Sequence, residues 1–151
     1  MPEKPAPQSN LPIDAVITWV DGSDSRLAEK RNKYLKEAKG ASQHGTQPGF
    51  FASINEIRYC VLSILTFAPF VRNIYIVTDE QDPNLYEDMK TYFPDKSDTL
   101  RIVDHREIFR GYEEYLPTFN STSIESMIWR IKGLSENFIY FNDDVFLIRD
   151  H

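Results

Sequence analysis

The chain is poor in the residues that staple or anchor proteins. Its 151 residues include one cysteine, Cys60, which excludes an internal disulfide and a cysteine-based zinc site. Nothing therefore ties it to an oxidising compartment, and the cytoplasm is the expected location. Long apolar runs are missing too. The longest, Tyr59 to Val71, is interrupted by Ser63, Thr66 and Pro69 and falls short of the ~20 residues a membrane span needs. Positive charge is in deficit: 17 Lys and Arg stand against 23 Asp and Glu, a net charge of −6. That balance argues against a nucleic-acid partner held through phosphates. What is present suits a folded domain, because 41% hydrophobic and 13% aromatic residues are too many for a disordered chain. A chain of this length matches one domain and can bury ~70% of its extended surface.

The first ten residues, MPEKPAPQSN, hold three prolines and no apolar run, so residues 1–10 read as a flexible lead-in. Residues 11–151 show no repeat or composition shift and read as one unit. Ile13 to Val20 is an apolar, β-rich strand ending at Asp21-Gly22-Ser23-Asp24, with a charged helix over Arg26 to Lys39 and Gly40 as its stop. Ala41 to Phe51 is a loop. Ser53 and Glu56 make a capping box for a helix whose Ile54, Ile57, Val61, Leu65 and Ala68 share one face, and Pro69 ends it. Asn73 to Thr78 is a strand, Asn84 to Phe93 a helix, and Leu100 to Val103 a strand stopping at Asp104-His105. After a loop over Pro117 to Ser121, Thr122 and Glu125 form a second capping box. Ile124, Met127, Ile128, Ile131 and Leu134 are spaced for one buried face of a helix that Gly133 closes. Phe138 to Phe141 is the last strand, running into Asn142-Asp143-Asp144, and Val145 to Ile148 resumes an apolar segment. Trp19 and Trp129 are expected to be packing residues.

Alternating strands and helices predict an α/β fold: a Rossmann-like, mostly parallel sheet with helices on both faces. Ligands of such sheets bind beyond the carboxyl ends of the strands. Asp21, Asp79, Asp104, His105 and the Asn142-to-Asp144 triplet each sit just past a strand end, while Asn55, Glu56 and Glu125 open helices. The polar residues are thus expected to converge on one rim.

Asn142-Asp143-Asp144 is the sharpest signal. Adjacent carboxylates between apolar segments are costly unless a cation or donors compensate them. Magnesium or manganese on a diphosphate would do so through one or two carboxylates; the alternative is a tight Asn-Asp turn between two hairpin strands. Glu125 and Glu56 read equally as caps and as working acids. Asn120-Ser121-Thr122-Ser123 offers hydroxyls and free N–H groups at a helix start suited to phosphate. Arg58, three residues past Asn55, pairs either with a phosphate or with a surface acid. Asp21 to Asp24 is either a bare turn or an approach to a ligand, and it is neither a GxGxxG motif nor a P-loop. His105 is either solvated or a proton carrier near neutral pH.

The stretches IDAVITWVDGSD, NEIRYCVLSILTFAPFVRNIYIVTDEQ and LPTFNSTSIESMIWRIKGLSENFIYFNDDVFL together resemble, in order and spacing, the first two signature regions of the Stealth family of sugar-phosphate transferases. That family includes bacterial capsular polysaccharide phosphotransferases and the animal lysosomal-enzyme N-acetylglucosamine phosphotransferase. The resemblance implies a fold similar to GT-A glycosyltransferases. It also implies transfer of a hexose 1-phosphate from a UDP-sugar to a saccharide acceptor hydroxyl, releasing UMP. By the same resemblance Glu125, Asp143 and Asp144 match the family's active-site acids; the paired carboxylates themselves place the expected divalent metal at Asp143 and Asp144. Asp21, Gly22, Ser23, Asp24, Asn55, Glu56 and Arg58 match segments around the nucleotide-sugar, and Asn120 and His105 join them as substrate-binding candidates.

Two departures stand out. The first region more commonly has Asn where Asp21 stands, which exchanges an amide for a charge. The sequence also stops at His151, ahead of two further signature regions that supply a His and an Arg. The chain therefore resembles the amino-terminal half of such an enzyme, expected to bind nucleotide-sugar weakly and to turn over little. A GT-A glycosyltransferase, releasing UDP instead, and a non-catalytic nucleotide-sugar-binding domain are the alternatives.

Overall fold

The computed structural model describes residues 11–20, 29, 32, 33, 54–118 and 121–149. Strands β1 (Ile13–Thr18), β2 (Val71–Thr78), β3 (Leu100–Asp104) and β4 (Asn137–Asn142) form one sheet in the order β3-β2-β1-β4. Every pairing is parallel. Helices α1 (Ile54–Phe67), α2 (Tyr86–Tyr92), α3 (His105–Ile108) and α4 (Ser121–Glu125) lie in the connections. The α/β, Rossmann-like reading holds. Positions 29, 32 and 33 are helical, in line with the helix expected there; the rest of Arg26 to Lys39, the loop over Ala41 to Phe51 and the lead-in lie outside the described residues.

Strand alternation builds two cores. Ala15 and Ile17 of β1 and Ile74 and Ile76 of β2 face Ile57, Cys60, Val61, Ile64 and Leu65 of α1, with Met89 of α2 beside them. Val16, Tyr75, Val77 and Val103 face the other way, onto Ile108, Phe109, Ile124, Ile128 and Ile131. Both sheet faces are covered, as a parallel sheet requires. Each fully buried Ile or Val contributes ~1.5–3 kcal/mol of transfer free energy.

Asp14 is a charge inside this apolar strand, fully buried. Its Oδ1 accepts from Arg72 Nε at 3.1 Å and Asn73 N at 3.1 Å, and its Oδ2 from Arg72 Nη2 at 2.8 Å and Ser135 N at 2.8 Å. One carboxylate thereby fastens the starts of β2 and β4 at the rim opposite the strands' carboxyl ends.

The expected helix over Thr122 to Gly133 is corrected. It runs only from Ser121 to Glu125, so Thr122 lies inside it rather than ahead of it and Glu125 is its last residue. The chain then tightens into a 3-10 turn at Ile128–Arg130. Ser126 explains the break: its hydroxyl donates to the Ser123 carbonyl at 2.7 Å, and Met127 N donates instead to Ile124 O at 3.0 Å. A Ser hydroxyl thus occupies a carbonyl that helix propagation needs. Ile124, Ile128 and Ile131 are nevertheless buried as expected.

Candidate active site at the β1–β4 rim

The carboxyl ends of the strands fall in register: Thr18 of β1 pairs with Asn142 of β4, and Thr78 of β2 with Asp104 of β3. At the β1–β4 side the chain leaves β4 in a tight turn, Val145 N donating to Asn142 O at 3.1 Å. The turn in the alternative reading is therefore present, but no second hairpin strand follows it among the described residues. Helix α1 holds the turn from below. Ser63 Oγ donates to Cys60 O at 2.8 Å and accepts from Leu147 N at 3.0 Å, and Cys60 Sγ lies 3.9 Å from Asn142 O. Burial, with the charges of Asp143 and Asp144, pushes the Cys60 thiol up to about 12. It stays protonated and chemically quiet under the acids.

Asp143 is half-buried, and its carboxyl is pushed up from 3.8 to about 6, by burial first and then by the charges of Asp144 and Glu56. Two carboxylates thus act on Asp143, Asp144 from the same turn and Glu56 from the first turn of α1. Among the described residues no group of three or more His, Cys, Asp or Glu is arranged to hold a metal ion by itself. The local field nevertheless asks for positive charge, and a cation that arrives with a diphosphate, completing its shell with phosphate oxygens, fits such a donor set.

The charge of Glu125, at the end of α4, is felt at a residue of this rim that sequence reasoning missed, Tyr140. The Tyr140 hydroxyl sits 2.8 Å from Thr18 Oγ1 and donates to Asn142 Oδ1 at 3.1 Å. Burial raises its pKa, the Thr18 hydrogen bond lowers it, and Glu125 (by charge and by hydrogen bonding) and Asp143 raise it further. The phenol's one proton goes to Asn142. Tyr140 was legible only as an apolar-strand residue, although its place two residues before Asn142 puts its side chain on the same face of β4.

Other candidates fall elsewhere. Arg58 Nε lies 3.0 Å from Asp88 Oδ2 of α2, a charge pair without hydrogen-bond alignment, so the surface-acid reading describes it here. His105 is buried at the start of α3, on the sheet edge opposite β4, which removes the solvated reading. Beside it, Asp104 is a structural clasp: it accepts from Glu80 N at 2.7 Å, Arg106 N at 2.9 Å and Arg106 Nε at 3.1 Å. Burial raises its pKa, but these donors outweigh burial and hold the carboxyl below its ordinary value. Trp19 is buried as expected, whereas Trp129 is exposed and is no packing residue; its neighbour Arg130 is tied to the carbonyls before and after Phe109, leaving the indole outside the core. Asp21, Gly22, Ser23, Asp24 and Asn120, and the side chain of Asn55, lie outside the described residues.

Stealth protein conserved region 1 matches residues 11–38 and conserved region 2 matches residues 50–151. An exopolysaccharide phosphotransferase of Streptomyces coelicolor is 46% identical over 142 residues, 92% of this chain and 24% of that protein. A capsular polysaccharide phosphotransferase of Actinobacillus pleuropneumoniae is 41% identical, over 91% of this chain and 36% of its own length. One of Aeromonas hydrophila is 39% identical, over 93% and 37%. The chain thus spans between a quarter and somewhat over a third of these relatives' length. Since conserved region 2 alone covers more than half of it, the chain belongs to the Stealth family.

Proposed function

We propose that the protein transfers a hexose 1-phosphate, such as N-acetylglucosamine 1-phosphate, from a UDP-sugar to an acceptor hydroxyl in capsule or exopolysaccharide synthesis. Relatives named as capsular and exopolysaccharide phosphotransferases support the reaction class. The observation that carries the reading is the β1–β4 rim, where the Tyr140 hydroxyl meets Thr18 and Asn142 beside the turn that bears Asp143 and Asp144, with the charges of Glu125 and Asp143 both felt at that hydroxyl.

In this reading the acceptor oxygen attacks the sugar-linked phosphorus in line. One P–O bond forms to the acceptor, the bond to the bridging oxygen breaks, and UMP leaves with that oxygen. Catalysis of this kind is mostly positioning and charge stabilisation. Glu125 takes the acceptor proton, close enough to the Tyr140 hydroxyl for its charge to be felt there. Asp143 and Asp144 would hold a magnesium or manganese ion. When bound, that ion supplies positive charge against the diphosphate. Cys60 contributes packing alone.

Nucleotide analysis separates this reading from its nearest rival. When the full-length protein is incubated with UDP-N-acetylglucosamine, manganese and a saccharide acceptor, UMP and a phosphodiester product are expected. Release of UDP would move the assignment to glycosyl transfer, and donor binding without product would leave a nucleotide-sugar-binding domain.

A further inference from the structure

The face carrying the segment after α3 and the Ile128–Arg130 turn bears a side-chain cluster for which the donor centre has no use. Tyr112, Tyr115 and Trp129 are 47%, 63% and 71% exposed. Arg130 organises them: its guanidinium carbon lies 5.3 Å from the Tyr112 ring centroid and 5.9 Å from that of Trp129. Its two arms are committed to backbone, Nη1 donating to Ile108 O at 2.9 Å and Nη2 to Arg110 O at 2.7 Å. Arg130 is therefore spent on holding rings in place rather than on binding an anion. The Tyr112 and Tyr115 rings stand 6.4 Å apart, tilted by 38°, and Glu113 and Glu114, both exposed, lie between them in the chain.

Leaving three large rings in water forfeits their burial, and such patches mark contact surfaces. The chemistry here selects the occupant. Flat aromatic faces accept the C–H faces of pyranose rings, and flanking carboxylates accept hydrogen bonds from sugar hydroxyls, while the same carboxylates repel a nucleic-acid backbone. Trp129 follows Glu125 by four residues along the chain, so the rings and the acid belong to the same stretch of sequence. We propose that Tyr112, Tyr115 and Trp129, braced by Arg130, form a stacking platform for the acceptor saccharide. The assignment of the sugar as acceptor rests on the function proposed above; the stacking itself does not.

The test needs no turnover. The two tryptophans give separable indole N–H signals, Trp19 buried and Trp129 exposed. Chito-, cello- and malto-hexaose are titrated against the protein without nucleotide, and at least one is expected to shift the Trp129 signal selectively. Trp129→Ala and, independently, Tyr115→Ala are expected to weaken that hexaose about tenfold, with the melting temperature and UDP-N-acetylglucosamine binding unchanged. No Trp129 response to any of the three hexaoses, or wild-type affinity in both variants, overturns the platform. Hexaose binding through Trp129 in a protein that binds no UDP-sugar would keep the platform and instead remove the donor reading.

Discussion

At the residue scale the account turns on carboxylates in three different settings. Asp143 binds its proton more tightly in the folded chain, at about 6 against an ordinary 3.8. Between those values the native state holds more protons than the unfolded one, so stability falls as pH rises from about 4 to about 6, and the whole penalty is present above that. Asp143→Asn is therefore expected to melt at a higher temperature than wild type at pH 7.5 and at the same temperature near pH 3.5. Thermal melts followed by circular dichroism across pH check this; an offset equal at all pH values would contradict the crowding of Asp143. Asp14 is a structural case, a buried carboxylate with four hydrogen bonds. Its removal in Asp14→Ala strands the Asn73 and Ser135 N–H groups and is expected to cost about 3 kcal/mol or more in urea unfolding. Nothing in the string IDAVIT singles it out except a lone acid in a strand buried on both faces. Glu125→Gln keeps the shape and loses the base, so phosphoryl transfer by the full-length protein is expected to fall about 100-fold or more, with melting temperature unmoved. Undiminished turnover would take Glu125 out of the chemistry.

Elements differ in how far the sequence reveals them, and the reason is where their hydrogen bonds go. All four strands were legible, since each is a short apolar run closed by polar residues, and backbone partners there depend on little else. Helix α1 was legible because its buried face repeats with helical period up to Pro69. The α4 segment carries the same apolar spacing, yet burying Ile124, Ile128 and Ile131 does not require one continuous helix. Serine side chains decided the matter by taking a backbone carbonyl. The role of α1 beneath the acidic turn was equally hidden, because Ser63 reads as a polar interruption and acts as a bracket for Leu147. Ser63→Ala is expected to cost ~1 kcal/mol and to speed amide exchange at Leu147 while leaving exchange within α1 unchanged. Slowed or unaltered exchange at Leu147 would show that the turn is held by something else.

At the scale of the whole molecule, sequence order already implied that acids distant along the chain gather at one rim. The acid turn follows β4 beside β1, whereas Asp104, at the end of the far strand, is a clasp and His105 opens a helix with its side chain buried. Among the described residues β4 is an edge strand with Phe138 and Ile139 exposed, followed by exposed Val145, Phe146 and Ile148. Apolar, unpaired strand edges invite pairing. Concentration-dependent self-association in sedimentation velocity is expected for residues 1–151, reduced by Ile139→Lys; a monomer at all concentrations would show that this edge is inert. The central claim, that Glu125 and Asp143 serve one centre that receives a sugar nucleotide, is most directly tested by carbon-detected NMR of carboxylates. Asp143 and Glu125 are followed during titration with UDP-N-acetylglucosamine and magnesium. The account predicts that both signals move together at one ligand concentration and that the Asp143 midpoint drops well below 6 in the complex. Independent responses, or a silent Glu125 beside a responding Asp143, would contradict it.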